Sequence, residues 1–385
     1  MLRSPRSAVL ATLAALCLLV PAGAAAKGPV EVITPISAKV LAPPTPVLGT
    51  DGRRHLVYEL QLLNWTAKPD ALESISVRAG GSGRTLASYA GAALSPLLIQ
   101  QPFGLPEPAD HVLAPGQSTI LWFDVVLPRR GKTPTSLVHH VVVNGIKAPI
   151  GRTHVGRAPV VISPPLRGKL FVDGNGCCGA TPHVRAIQTL DGVRWLSQRY
   201  AIDFLQANRQ GRTYAGNAHK AANYFVFDEP VHSVAPGVVT SVLDSRPTEI
   251  PPVPDTSLDN YNAARFVTGN HVIVRIRPHV YAMYAHLKLG TIKVEAGERV
   301  RRGQVLARAG NSGNTTAPHL HFQLTSRNSP LASNGVPYVF DDFTLEGRIS
   351  GPLLDFVESG IGTIARDRSS RTRQLPLSAT VLSFP

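Results

Sequence analysis

The stretch from Asn270 to Leu287 leaves the chain little conformational choice. Asn270-His271-Val272-Ile273-Val274-Arg275-Ile276 alternates, turns near Pro278, and returns as Val280-Tyr281-Ala282-Met283-Tyr284-Ala285-His286-Leu287. Alternation of period two with β-branched and aromatic residues predicts a β-hairpin. On that pattern Tyr284 and His286 share one face. Val294 to Val300 and Gly303 to Ala307 predict a turn and a further strand. Hardly any segment in this half has helical period and helical length.

The first half reads as β as well. Leu56 to Leu63, Leu72 to Val77, Ser118 to Val126 and Leu137 to Val143 alternate in part. Turn clusters such as Thr50-Asp51-Gly52 and Ala114-Pro115-Gly116-Gln117 separate them. Short strands at this spacing predict a sandwich of immunoglobulin-like architecture, without the Cys-Trp-Cys signature of true immunoglobulin domains. The fold class expected is therefore mostly β: an N-terminal immunoglobulin-like β-sandwich, then a C-terminal antiparallel β-sheet domain. His139 and His140 point to opposite faces of their strand and read as structural.

The N-terminus has the form of a secretory signal. Arg3 and Arg6 precede an apolar run from Ala8 to Val20, and Pro21 to Ala26 supply small residues with cleavage expected after Ala26. The run is short for a membrane span of about 20 residues. Leu16 before Cys17 argues against lipidation. No later stretch is long and apolar enough to cross a membrane. The expected organisation is a signal peptide over 1–26, a sandwich over 27–157, a second β domain over 158–350 and a tail over 351–385. The tail carries a basic stretch, Arg366 to Arg373, and an apolar end that suits an edge strand. An exported protein with a formal charge of +14 is expected to meet anionic cell-envelope polymers rather than nucleic acid. Cys177 and Cys178 are adjacent, and read equally well as two thiols in a turn or as a vicinal disulfide.

The chemistry concentrates near the end. Ala317-Pro318-His319-Leu320-His321-Phe322 follows a loop, Gly310-Asn311-Ser312-Gly313, and opens a strand. His319 and His321 then share a face, and two imidazoles side by side suit a metal ligand next to a proton-transfer group. Alone, such a His-x-His is more simply two incidental histidines. The ordered set of Asp203, Gly269-Asn270-His271-Val272, Tyr284-Ala285-His286-Leu287, Gly303-Gln304, Gly310 to Gly313 and Pro318 to Phe322 resembles the lysostaphin-type, LytM-like zinc endopeptidases of peptidoglycan. The resemblance covers about Arg199 to Phe322.

That resemblance implies an exported, periplasmic or wall-associated zinc metalloendopeptidase acting on peptidoglycan peptides. It implies Asp203 and His321 as ligands of Zn2+, His319 as the acid–base residue and His286 as its oxyanion-stabilising partner. It also implies a histidine four residues before Asp203, where this chain has Arg199, which offers no lone pair. His183 and His219 are the nearest histidines upstream and downstream, and each reads more simply as an ordinary histidine. The alternative is a degenerate LytM-like module that binds cell wall or regulates another hydrolase. A biotinyl or lipoyl carrier is excluded, because no lysine follows Lys293.

Overall fold

The computed structural model describes residues 31–99, 111–251 and 266–385. The expected signal peptide lies outside the described residues. Thr34 to Pro385 form one compact unit.

The N-terminal strands make two antiparallel sheets. One contains Ile36–Val40, Val47–Leu48, Arg54–Asn64, Ser118–Leu127 and Leu98–Ile99; the other contains Ile146–His154, Ser136–Val143, Asp70–Ala79, Thr85–Ala90 and Val112–Leu113. They enclose a shared core in which Leu56, Tyr58, Leu60 and Leu62 meet Ile75, Val77, Leu137 and Val141. His139 is part of that interior, tied to Tyr58 Oη at 2.8 Å and Gly151 O at 2.6 Å. The Arg54–Asn64 strand alternates only in part because both of its faces are covered. Its even-numbered residues from Leu56 to Leu62 fill the core between the sheets, while Val57, with Ile120 and Trp122, joins a larger core built mainly from residues after Val160. Strands covered on both faces lose the in–out alternation of a half-exposed strand.

That second core lies under an 11-stranded sheet. Its middle runs Gly168–Gly174, Ile202–Gln206, Leu320–Thr325, Val280–Leu287, Asn270–Arg277 and Gly237–Leu243, all antiparallel. The hairpin read from Asn270 to Leu287 is present. The segment after Gly351 is built into this sheet. Thr363–Gln374 pairs along Tyr338–Ser350. Thr380–Phe384 sits between Tyr338–Ser350 and Gly168–Gly174. A short helix, Leu353–Ser359, joins them and ends on Gly360 at φ +67°, the left-handed position that suits glycine after a helix.

Candidate metal and catalytic centre

Three neighbouring strands set the site. Asp203 on Ile202–Gln206 pairs across from His321 on Leu320–Thr325, which pairs across from Ala285 on Val280–Leu287. Period two sends Leu320, Phe322 and Leu324 into the core and turns His321 to the other face. His319, just before the strand, faces the same way, with Nε2 3.3 Å from Asp203 Oδ1.

His286 reaches the site by a different device. Tyr284 points into the core, where its hydroxyl accepts a hydrogen bond from Val234 N at 2.9 Å. Strict alternation would send His286 after it, as the sequence pattern suggests. The structure corrects that expectation. The ladder slips between Asn270 and Val272, and His286 takes φ +60°. This bulge turns its ring to the opposite face, 4.7 Å from the His319 ring and 5.8 Å from the His321 ring, centroid to centroid. Bulges beside reactive sites commonly re-aim a side chain in this way.

The Gly310–Gly313 loop secures it. Ser312 Oγ donates to Leu287 O at 2.8 Å and accepts from Asn270 N at 2.9 Å. Ser312 O accepts from His286 Nδ1 at 2.8 Å. Gly313 has φ +80°, and a Cβ there would lie 2.3 Å from Gly269 N, so the loop requires glycine.

Arg199 stands apart from this centre. It turns away into the interior and forms a two-pronged ion pair with Glu59, at 2.6 Å through Nε and 2.5 Å through Nη2. Arg199 is 3% exposed and Glu59 0%. A different residue faces the carboxylate: His183 Nε2 lies 3.3 Å from Asp203 Oδ2. Its ring packs edge-on against His321, 4.8 Å between centroids. His183 ends a loop that begins near Asn175, whose Nδ2 donates to Asp203 Oδ2 at 2.9 Å. Within that loop Cys177 and Cys178 form a vicinal disulfide. His219 is exposed and bonds Pro251 O instead. His183 lies 20 residues before Asp203, with nothing regular in the spacing; its one sequence cue was the turn-rich Asp173-to-Gly179 run before it.

The hydrogen bonds at the rim fix which nitrogen of each imidazole faces inward. His286, His319 and His183 each direct Nδ1 to a backbone carbonyl, Ser312 O, Ala317 O and Ala201 O, at 2.8, 2.8 and 3.4 Å. A carbonyl only accepts, so Nδ1 carries the hydrogen and Nε2 keeps its lone pair. His321 is held the other way round. Its Nε2 lies 3.0 Å from Gln323 Oε1, and Gln323 Nε2 donates to Pro330 O at 3.0 Å. His321 Nδ1, 2.9 Å from Asp203 Oδ1, is left as the lone-pair nitrogen. Acceptors thus converge on a carboxylate, and His183, Asp203 and His321 bring one ligand atom each within 4.8 Å of one another. Buried lone pairs facing a buried carboxylate call for a cation between them. The donor set, two imidazoles and a carboxylate, fits zinc.

Electrostatics follow from the crowding. Burial alone would raise the Asp203 carboxyl, but His183, His319 and His321 hold it well below its usual range. Burial brings His183 down to about 4 despite the pull of Asp203. Burial, with His319 and His321 alongside, keeps His286 well below the usual imidazole range. His319 goes up instead, because the charge and hydrogen bond of Asp203 outweigh burial.

With this geometry in place, the comparisons with known proteins converge. Residues 217–333 match the model of Peptidase family M23. The M23 match includes His286, His319 and His321 and begins after Asp203, so it leaves out the part of the site where Arg199 and His183 depart from the expected pattern. The peptidoglycan DD-endopeptidase ShyB of Vibrio cholerae is 32% identical over 139 residues, 31% of this chain and 32% of that protein. ShyA of the same organism is 36% identical over 78 residues, 17% of this chain and 18% of that protein. The chain thus spans about a third or less of the length of these relatives. Among solved structures, the catalytic domain of lysostaphin from Staphylococcus simulans aligns at 19% identity, covering 43% of this chain and 84% of that one, with a TM-score of 0.24.

Proposed function

We propose that this protein is a zinc-dependent endopeptidase that hydrolyses peptide bonds in peptidoglycan, with His183, Asp203 and His321 as the metal ligands. The observation that carries the reading is the convergence of the His183 and His321 imidazoles on the Asp203 carboxylate, one ligand atom from each lying within 4.8 Å of the others. The M23 match and the peptidoglycan endopeptidases among the relatives support the substrate class. A bound zinc would supply Lewis acidity and bring the pKa of a coordinated water toward about 7.

The chain's own residues supply the rest. His286 and His319 stand with their rings side by side, and each is tethered through Nδ1–H to a backbone carbonyl. Each therefore presents Nε2 to the reacting atoms as a proton acceptor, and once protonated as a donor. His286, kept neutral by burial, suits removal of the proton from the attacking water. His319, whose ring lies beside that of His286, suits its return to the departing amine. A groove of ≈ 340 Å³ surrounds the centre, and Gln198, Asn314 and Thr316 line it beside the apolar Val267, Met283 and Leu331. Such a lining can hydrogen-bond an extended peptide main chain without demanding a charged side chain.

The pairing of Arg199 with Glu59 and the approach of His183 to Asp203 support the enzyme over a degenerate module. The site of action is the cell envelope, where peptidoglycan lies; among the described residues no helix is long and apolar enough to cross a membrane. We take anionic envelope polymers as partners of the basic surface. The test is metal content of the purified protein together with digestion of isolated peptidoglycan. About one zinc per chain, lost with turnover in His321→Ala, is the expected result. Metal-free protein that binds sacculi without cutting them would replace the hydrolase with a binding module.

A further inference from the structure

Glu59 lies on the N-terminal strand Arg54–Asn64, 140 residues before its partner Arg199. Both side chains are buried, and a buried ion pair is a costly way to join two surfaces that apolar residues would join as well. What a two-pronged guanidinium–carboxylate contact adds is direction: it fixes the position and the plane of both groups.

That direction is transmitted to the site. Arg199 belongs to the turn Ser197–Tyr200 that leads into the Asp203 strand. The turn closes through Ala201 N to Gln198 O at 2.9 Å. The next carbonyl along, Ala201 O, is the acceptor for His183 Nδ1. Alternate residues of the Glu59 strand touch the same region. Tyr200 Oη donates to Val57 O at 3.5 Å. His55, with Asp124, brings a side-chain atom within 4.8 Å of the Cys178 sulfur in the loop that carries His183. One face of one N-terminal strand thus abuts both segments that supply His183 and Asp203.

We infer that Glu59 is a positioning residue of the metal centre, holding Arg199 so that the Gln198–Ala201 turn orients His183 toward Asp203. The inference rests on the metal reading above and assigns the N-terminal sheets a part in metal binding. Glu59 touches neither metal nor substrate and acts through Arg199 alone.

The experiment is a zinc titration of the full-length apoprotein against a chromophoric chelator, with the visible spectrum of the Co(II) form as a report on geometry. The variant Glu59→Met/Arg199→Met removes both charges and keeps an apolar contact, a replacement that buried ion pairs often tolerate, while direction is lost. Expected are zinc binding weaker by about tenfold or more, the range seen when residues supporting a ligand are lost, and an altered Co(II) spectrum. Adding His183→Ala to this variant should weaken binding less than His183→Ala does in the wild type, since the two changes act on one ligand. If the double variant does not fold, Arg199→Lys keeps the charge without the fork, and a smaller loss of affinity is expected. Wild-type affinity and spectrum in a folded variant, with only the melting temperature moved, would overturn the inference and leave the metal reading standing. A wild-type protein that takes up no zinc would overturn both.

Discussion

Gln323 Oε1 stands 3.0 Å from His321 Nε2 while its own amide nitrogen donates to Pro330 O at 3.0 Å. The carboxamide cannot rotate without losing both bonds. It therefore holds the hydrogen of His321 on Nε2 and leaves Nδ1 facing Asp203. Gln323→Leu should preserve the strand and weaken zinc binding by about 10- to 100-fold. Competition titration of the folded variant checks this; unchanged affinity would mean that Gln323 does not set the tautomer.

The third ligand can be assigned directly. His183→Ala should lower zinc occupancy to near that of His321→Ala, whereas His219→Ala, on an exposed loop, should retain wild-type metal. Metal analysis after dialysis separates the two. Full zinc in His183→Ala would return the question of the third ligand to other residues.

His319→Ala should abolish peptidoglycan cleavage, bind zinc, and keep the wild-type circular dichroism spectrum. Loss of a proton-transfer group costs typically about 10² to 10⁴ in rate. Retained turnover would remove His319 from the acid–base pair.

At Gly313, φ +80° and the close approach of Gly269 N leave no room for a Cβ. Gly313→Ala should destabilise the protein by about 1–3 kcal/mol and loosen the Ser312 carbonyl that orients His286. Urea denaturation measures the first effect and turnover of the folded fraction the second.

The sequence pattern was most informative where period two holds. It placed the Asn270–Leu287 hairpin and the shared face of His319 and His321, while Asp203 came only from the resemblance to the LytM-like enzymes. It failed at His286, because a bulge breaks the period at that residue and periodicity carries no record of φ. Arg199 looked like a lost ligand because its partner, Glu59, is 140 residues away and no local pattern links them. His183 was legible as a residue and illegible as a neighbour of Asp203, since its approach depends on the path of a disulfide-bridged loop. The strand at Arg54–Asn64 hid its second buried face for a related reason: the surface covering it comes from the other end of the chain.

His55 lies buried between two carboxylates, with Nδ1 2.9 Å from Asp124 and Nε2 3.2 Å from Asp51. Burial lowers its affinity for a proton, but the hydrogen bonds and charges of Asp124 and Asp51 raise it further, so the net shift is upward. A raised folded pKa favours the folded state while the group is protonated. The contribution is fully present below the unfolded value, about 6.5, and is lost as pH rises through the folded value. Urea midpoints for wild type should therefore fall toward those of His55→Gln as pH rises above neutrality. Parallel curves for the two proteins would show that His55 does not titrate with folding.

The strand Thr380–Phe384 lies inside the sheet, between Tyr338–Ser350 and Gly168–Gly174, and Ser383 meets Leu170 across 213 residues. Contacts so distant along the chain close late and slowly. During synthesis the Gly168–Gly174 strand emerges with no neighbour on that side and waits for a partner still to be made. A half-translated chain thus presents an open strand edge beside the element that carries Asp203. A chain cut short before Thr380 would keep that edge open and ready to pair with another strand.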